Sequence, residues 1–243
     1  MNKKYDFNDS FFEEINDEKK AYSLGLIYSD GNIFHKEGKG YYVIFGQQEE
    51  RKDIVYKLNE ILDSNAPIHK ALRGSKLFYY IRLTSKKMYE DLTKWGITSN
   101  KSLTVKFPTN MPKLLMNHFI RGLFDGDGCI WNGQRKKMLV REWGKERIKT
   151  VHNVKFTYTG NDDFVNSLQN LLVEELGIKK TKLNYSKAKN KSNTTSENIC
   201  TMEYSGRGNI QKLYNYLYNN STIFSDEKKY KFEAILSFHD EKL

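Results

Sequence analysis

Asn117-His118-Phe119-Ile120-Arg121-Gly122-Leu123-Phe124-Asp125-Gly126-Asp127-Gly128-Cys129-Ile130 decides the reading of this chain, because it is said twice. The weaker copy is Ala21-Tyr22-Ser23-Leu24-Gly25-Leu26-Ile27-Tyr28-Ser29-Asp30-Gly31-Asn32-Ile33. Each is an apolar helical run with a small residue (Gly25, Gly122), another one turn later (Ser29, Gly126), then Asp, Gly and the apolar start of a strand. Glycine after the last periodic residue is a helix stop. An acid just before it is electrostatically wrong, because a helix C-terminus carries partial negative charge, so a cation is expected there.

Small residues one turn apart let two helices touch backbone to backbone. If the two copies pack on each other, Asp30 and Asp127 meet at one end. Carboxylates forced together raise each other's pKa unless a divalent cation lies between them. Mg²⁺ suits such a place, since it takes oxygen ligands, keeps waters and uses one or two carboxylates plus substrate phosphate oxygens. The chemistry this implies is metal-dependent phosphodiester hydrolysis. Asp125-Gly126-Asp127-Gly128 is no EF-hand loop, because Cys129 stands where an oxygen ligand is required. Arg121 and the polar residues before each run exclude a membrane span of about twenty apolar residues.

A net charge of +10, from 40 basic against 30 acidic residues, points to a polyanionic partner. Mean hydropathy of −0.72 with 14% aromatic residues describes a basic, wet surface over a core rather than a disordered tail. Two cysteines, Cys129 and Cys200, are too few for a zinc site or disulfide framework, and both are expected as buried thiols in strands. The five histidines show no metal-ligand spacing. Met1 to Phe12 lacks a hydrophobic signal core and no segment is long enough to span a bilayer, so the expected location is the cytosol.

The rest of the chain repeats one order of elements. After the first signature helix, Asn32 to Lys36 and Tyr41 to Gln47 read as a strand pair around Gly38-Lys39-Gly40, and Glu49 to Asp63 as an amphipathic helix through Ile54, Leu58, Ile61 and Leu62. Ile68 to Leu72 and Leu77 to Leu83 form a second hairpin, and Lys86 to Trp95 a further helix. In the second half, which begins with a signature helix at Met111-Pro112, Cys129 to Trp131 pairs with Val154 to Thr159 across a basic insertion from Gly133 to Asn153. Phe164, Leu168, Leu171 and Leu172 repeat the earlier helical phase behind Asn161. Lys179 to Ser186 and Ile199 to Tyr204 give the next hairpin, Ile210 to Leu217 a helix, and Ser225 to Phe238 a final one. Internal duplication explains this. The expected fold is α+β, with two pseudosymmetric αββαββ(α) halves, residues 1–108 and 109–243, packed through the signature helices.

Charge sorts by element. Ser64 to Tyr89 holds no acid but Lys70, Arg73, Lys76, Arg82, Lys86 and Lys87; Leu176 to Ser196 holds none but Lys179, Lys180, Lys182, Lys187, Lys189 and Lys191. Acids gather on the helices. With helices behind two sheets, the opposite sheet faces become basic surfaces for phosphate contact. Alternation directs Leu77, Tyr79, Ile81 and Leu83 to the core and Phe78, Tyr80 and Arg82 outward. In the second half Lys155, Thr157 and Thr159 face out and Val154, Phe156 and Tyr158 in. Two-stranded ribbons of this kind fit the major groove of duplex DNA.

The paired motifs resemble those of single-chain LAGLIDADG homing endonucleases. Gly25-Leu26-Ile27 and Asp30-Gly31 match the first, and Gly122-Leu123, Asp125 and Asp127-Gly128 the second. Ser23, Leu24 and Tyr28 depart from the first motif. The resemblance implies a monomer whose saddle-shaped antiparallel sheets, backed by helices, lie on a long asymmetric DNA target. It implies double-strand cleavage with Mg²⁺ across a minor groove, leaving short 3′ overhangs, with Mn²⁺ or Ca²⁺ able to replace Mg²⁺ in binding. Asp30 and Asp127 are then the metal acids, and Ser29 and Gly126 lend backbone carbonyls to the metal shell. Lys101 and Lys228, at matching repeat positions, are the basic residues near the scissile phosphate, and Gln47 orders water. The alternative on the same scaffold is a catalytically silent or dual-role binder, an intron RNA maturase or a DNA-binding regulator.

Overall fold

The computed structural model describes residues 4–99, 101, 104–133, 136–151, 154–185 and 198–237. The first half begins with α1 (Glu18–Asp30), started by Asp17, whose carboxylate accepts from the Lys20 amide. Strands β1 (Gly31–Lys36) and β2 (Gly40–Gln48) follow, then α2 (Lys52–Ile61), β3 (His69–Arg73), β4 (Lys76–Thr84) and α3 (Lys86–Lys94). The second half starts with α4 (Met116–Asp127), β5 (Cys129–Asn132), β6 (Lys136–Glu142), β7 (Lys145–Val151) and β8 (Val154–Asn161). It ends with α5 (Asp162–Leu176), β9 (Asn184–Tyr185), β10 (Ile199–Ser205), α6 (Arg207–Tyr218) and α7 (Asp226–Ser237).

Two antiparallel four-stranded sheets, ordered β1-β2-β4-β3 and β5-β8-β10-β9, reproduce the duplication. Each buries its helix-side residues: Val43, Phe45, Tyr79, Ile81 and Leu83 in the first, and Val154, Phe156, Tyr158, Met202 and Tyr204 in the second. The fold class expected from the sequence is the one observed.

α1 and α4 pack as the small residues require. A Cβ on Gly25 would collide with the carbonyl oxygen of Phe119, and one on Gly122 with that of Tyr22. On Gly126 it would run into the Ser29 hydroxyl. The glycines after the signature acids serve differently from a left-handed helix stop. Gly31 (φ −73°, ψ 152°) and Gly128 (φ −69°, ψ 158°) are extended. Glycine is needed there for space: a Cβ on Gly31 would lie 2.6 Å from the Ile27 carbonyl, and one on Gly128 would enter the Phe124 ring.

Four expectations are corrected. The helix predicted from Glu49 to Asp63 is a 3-10 turn, Glu49–Arg51, followed by α2, with the break at Arg51. The second signature helix starts at Met116, after a 3-10 turn over Lys113–Leu115. The strand predicted from Lys179 to Ser186 shrinks to Asn184–Tyr185 among the described residues. Its first half follows the left-handed Gly177 cap and is tied to α5 by Gln169 Nε2 donating to Thr181 at 2.9 Å and Lys180 Nζ donating to Asn170 at 2.7 Å. Cys129 is exposed, because its register partner is Thr157 on the outward face; Cys200 is buried as expected. The basic insertion holds the β6–β7 hairpin. Among the described residues no helix is long and apolar enough to cross a membrane.

Candidate metal and nucleic-acid site

The packed helices carry Asp30 and Asp127 to one place. A Cβ on Gly126 would lie 2.7 Å from Asp30 Oδ2, so the Asp30 carboxylate rests on the residue preceding Asp127. Burial, and then the negative charge of Asp127, push the Asp30 pKa up; burial also raises that of Asp127.

The cations demanded by acidic helix ends are present. Lys101 Nζ donates to the carbonyl oxygen of Ser29, the last turn of α1, and Lys228 Nζ to that of Gly128, the cap of α4. Both lysines are nearly buried, and burial pulls both ammonium pKa values down. Arg51 donates to the carbonyls of Gly126 and, at 3.3 Å, Asp125. Its charge holds down the pKa of both signature acids. Sequence reasoning missed Arg51 because it sits inside an apolar period that reads as one continuous helix.

The two half-sites differ. Gln47 Nε2 donates to Asp30 Oδ2 at 2.5 Å. In the first sheet Gly31 faces Phe45, and Gln47 lies two residues on; in the second Cys129 faces Thr157, so Gly128 falls at Tyr158 and the place of Gln47 goes to Gly160. Beside Gly160 lies a cavity of about 300 Å³ lined by Ser29, Lys101, Asp127, Tyr158 and Asn161.

Asp125 is fully buried and acts as a strut. It accepts from Tyr22 Oη (2.8 Å), Tyr218 Oη (2.6 Å) and the Ser225 amide (2.7 Å), tying α4 to the start of α7, the helix that carries Lys228. Burial pushes its pKa up to about 6 against these donors. Tyr28 holds the equivalent place in α1, and its hydroxyl donates to the Trp95 carbonyl ahead of Lys101.

The donor set suits a hard divalent cation: two carboxylates that repel one another, flanked by the Ser29 and Gly126 carbonyls. Each carbonyl already accepts one side-chain donor and has a second lone pair free. Among the described residues no group of three or more His, Cys, Asp or Glu side chains that could hold a metal ion is gathered.

The outward face of the first sheet gathers Arg73, Lys76, Phe78, Tyr80 and Arg82, with Tyr42 and Gln48 beside them. The Arg82 guanidinium stacks 4.8 Å above the Tyr42 ring, Arg73 4.8 Å above Phe78, and Lys76 donates to Gln48 at 3.0 Å. Lys70 does not join them. Its register partner is Tyr79, so it lies on the helix side, with Nζ 5.2 Å from the Tyr79 ring centre. On the second sheet Lys155, Thr157 and Thr159 face outward with Trp131; Lys155 is ion-paired with Glu203 at 2.7 Å. Lys180 is turned to α5 and Lys182 lies in irregular chain, so neither belongs to that sheet face. Lys187 lies outside the described residues.

Residues 115–218 match a family model described as a LAGLIDADG-like domain. No curated protein sequence matches the chain. Among solved structures it resembles the LAGLIDADG meganuclease I-AabMI bound to uncleaved DNA, at 13% identity and TM-score 0.60, covering 91% of each chain. It also resembles the I-LtrWI homing endonuclease bound to target DNA (14%, TM-score 0.59, 97% of this chain and 92% of that one). A third is I-SmaMI bound to an uncleaved DNA target with calcium ions (12%, TM-score 0.59, 94% and 93%). At these identities the likeness establishes the fold.

Proposed function

We propose that this chain, which carries a LAGLIDADG-like domain within the fold of the single-chain LAGLIDADG homing endonucleases, is a DNA endonuclease that cuts both strands of a long, asymmetric duplex site with Mg²⁺ and leaves short 3′ overhangs. One observation carries the reading: two carboxylates with raised pKa values are held together at touching helix ends, between two sheets whose outward faces bear cations and aromatic rings. A fold alone gives no reason to keep that repulsion. Cation binding does. That the solved relatives are recorded with DNA, one of them with calcium, supports the same conclusion.

Asp30 and Asp127, with the Ser29 and Gly126 carbonyls, would hold the metal. A divalent cation at such a site lowers the pKa of water and neutralises charge on phosphate oxygens. The chain's own groups do the rest. Gln47 fixes the Asp30 carboxylate with its amide and leaves its own oxygen to orient a nucleophilic water. Lys101, Lys228 and Arg51 surround the acids with positive charge and favour phosphate over bulk anions at the cleft. Arg73, Lys76 and Arg82, and Lys155 with Thr157 and Thr159, contact backbone and base edges along each half.

The test is a supercoiled plasmid library with randomised inserts, incubated with Mg²⁺ and sequenced at the new ends. Recurrent breaks at one long motif with short 3′ extensions are expected. Absence of Mg²⁺-dependent ends, or cutting indifferent to sequence, would refute the assignment.

A further inference from the structure

The β6–β7 hairpin has no part in the chemistry above. Among the described residues it is a two-stranded sheet of its own, hydrogen-bonded to neither four-stranded sheet. Its register, from Lys136 opposite Val151 to Glu142 opposite Lys145, leaves Trp143-Gly144 as a two-residue turn. Both turn residues have positive φ, 54° and 77°, the pattern of a type I′ turn, for which Asn, Asp or Gly is suited and Trp is not. Yet the Trp143 side chain is 100% exposed. A large ring is thus kept in water at a backbone setting it disfavours, and no described residue covers it.

The hairpin's composition names the ligand's charge. Residues 136–151 hold six basic residues (Lys136, Lys137, Arg141, Lys145, Arg147, Lys149) against two acids (Glu142, Glu146). Arg141 remains 80% exposed although its guanidinium lies 3.6 Å from Glu146. The hairpin is also continuous with a surface already assigned, because it grows from β5 and β8, whose outward pair at that end is Trp131 and Lys155. Seven strand residues extend about 24 Å at roughly 3.4 Å each, some two-thirds of a duplex turn.

We propose that β6–β7 is an arm that grips duplex DNA beyond the stretch covered by the two sheets, its basic residues on backbone phosphates and Trp143 wedged into the minor groove at the tip. The proposal rests on the endonuclease reading and extends it to an element that the first half, with its short Gly38-Lys39-Gly40 turn, does not have.

Binding of the full chain to a long mixed-sequence duplex, measured by fluorescence anisotropy in Ca²⁺ across a salt series, tests it with two variants. Trp143→Asn puts a residue suited to positive φ into the turn, so its melting temperature should equal or exceed that of the wild type while affinity falls by about tenfold. Replacing residues 134–153 by Gly-Lys-Gly should reduce the slope of log affinity against log salt by about 2 to 4, as phosphate contacts are lost. Wild-type affinity and slope in both variants would overturn the arm and leave the endonuclease reading standing. A wild-type chain that fails to bind duplex at all would overturn both.

Discussion

Gln47 donates its side-chain amide to Asp30 at 2.5 Å, and the register position that would offer the same bond to Asp127 is held by Gly160. One acid is oriented by a neighbour and the other borders a cavity of about 300 Å³. Strand cleavage should therefore be uneven. On a plasmid carrying the target, Gln47→Ala should slow one strand by about 10- to 100-fold, so that nicked circles accumulate. Gly160→Gln should alter the ratio of nicked to linear product in the wild-type background. Equal slowing of both strands by Gln47→Ala would contradict the assignment of Gln47 to one half-site.

The helix contact leaves no room for a methyl group. Gly25→Ala or Gly122→Ala places Cβ against a backbone carbonyl on the opposing helix, an obstacle that no rotamer change relieves. Overpacking of this kind costs about 3 kcal/mol or more. Chemical denaturation should show that loss for each. Gly38→Ala, at a turn with open space around it, should cost less despite its φ of 69°. Tolerance of alanine at Gly25 would mean the helices are farther apart than described.

Asp125 makes a statement about pH. Its pKa is raised from 3.8 to about 6 by burial, so the native state holds this proton more tightly than the unfolded chain. Its contribution to stability is fully present below the unfolded value and is lost as pH rises through about 6. Across that window the single group accounts for about 3 kcal/mol. Asp125→Asn should flatten the pH dependence of unfolding between pH 4 and 6 by an amount of that order. An unchanged slope would show that the carboxylate is ionised throughout.

How much of this the sequence alone discloses depends on the kind of signal. The helix pair was readable because small residues at one-turn spacing, repeated 97 residues apart (30 against 127), admit few other uses. The strand faces of Phe78, Tyr80, Arg82 and Thr157 followed from period-two alternation. Charge alone groups Lys70 with the sheet cations, but register decides: a one-residue offset puts it opposite Tyr79 and on the helix side. Arg51 was hidden because a 3-10 turn leading into α2 leaves the apolar period unbroken, while only the break lets the guanidinium reach the end of α4. Lys180 was drawn toward the sheet by its acid-free neighbourhood, whereas the left-handed cap at Gly177 turns the chain back along α5. An apolar strand start suggests a buried Cys129, and the pairing with Thr157 turns it out.

Divalent cation binding to the DNA-free protein at neutral pH tests the central claim most directly, followed by Mn²⁺ titration calorimetry and by the thermal shift each cation induces. The wild type should bind Mn²⁺ and gain melting temperature with it. Asp30→Asn and Asp127→Asn should lose that binding, yet be more stable than the wild type in metal-free buffer by about 1 kcal/mol, since removing one charge relieves the other. Wild-type affinity for Mn²⁺ in both variants, or metal-free variants less stable than the parent, would contradict a shared cation site built on two repelling carboxylates.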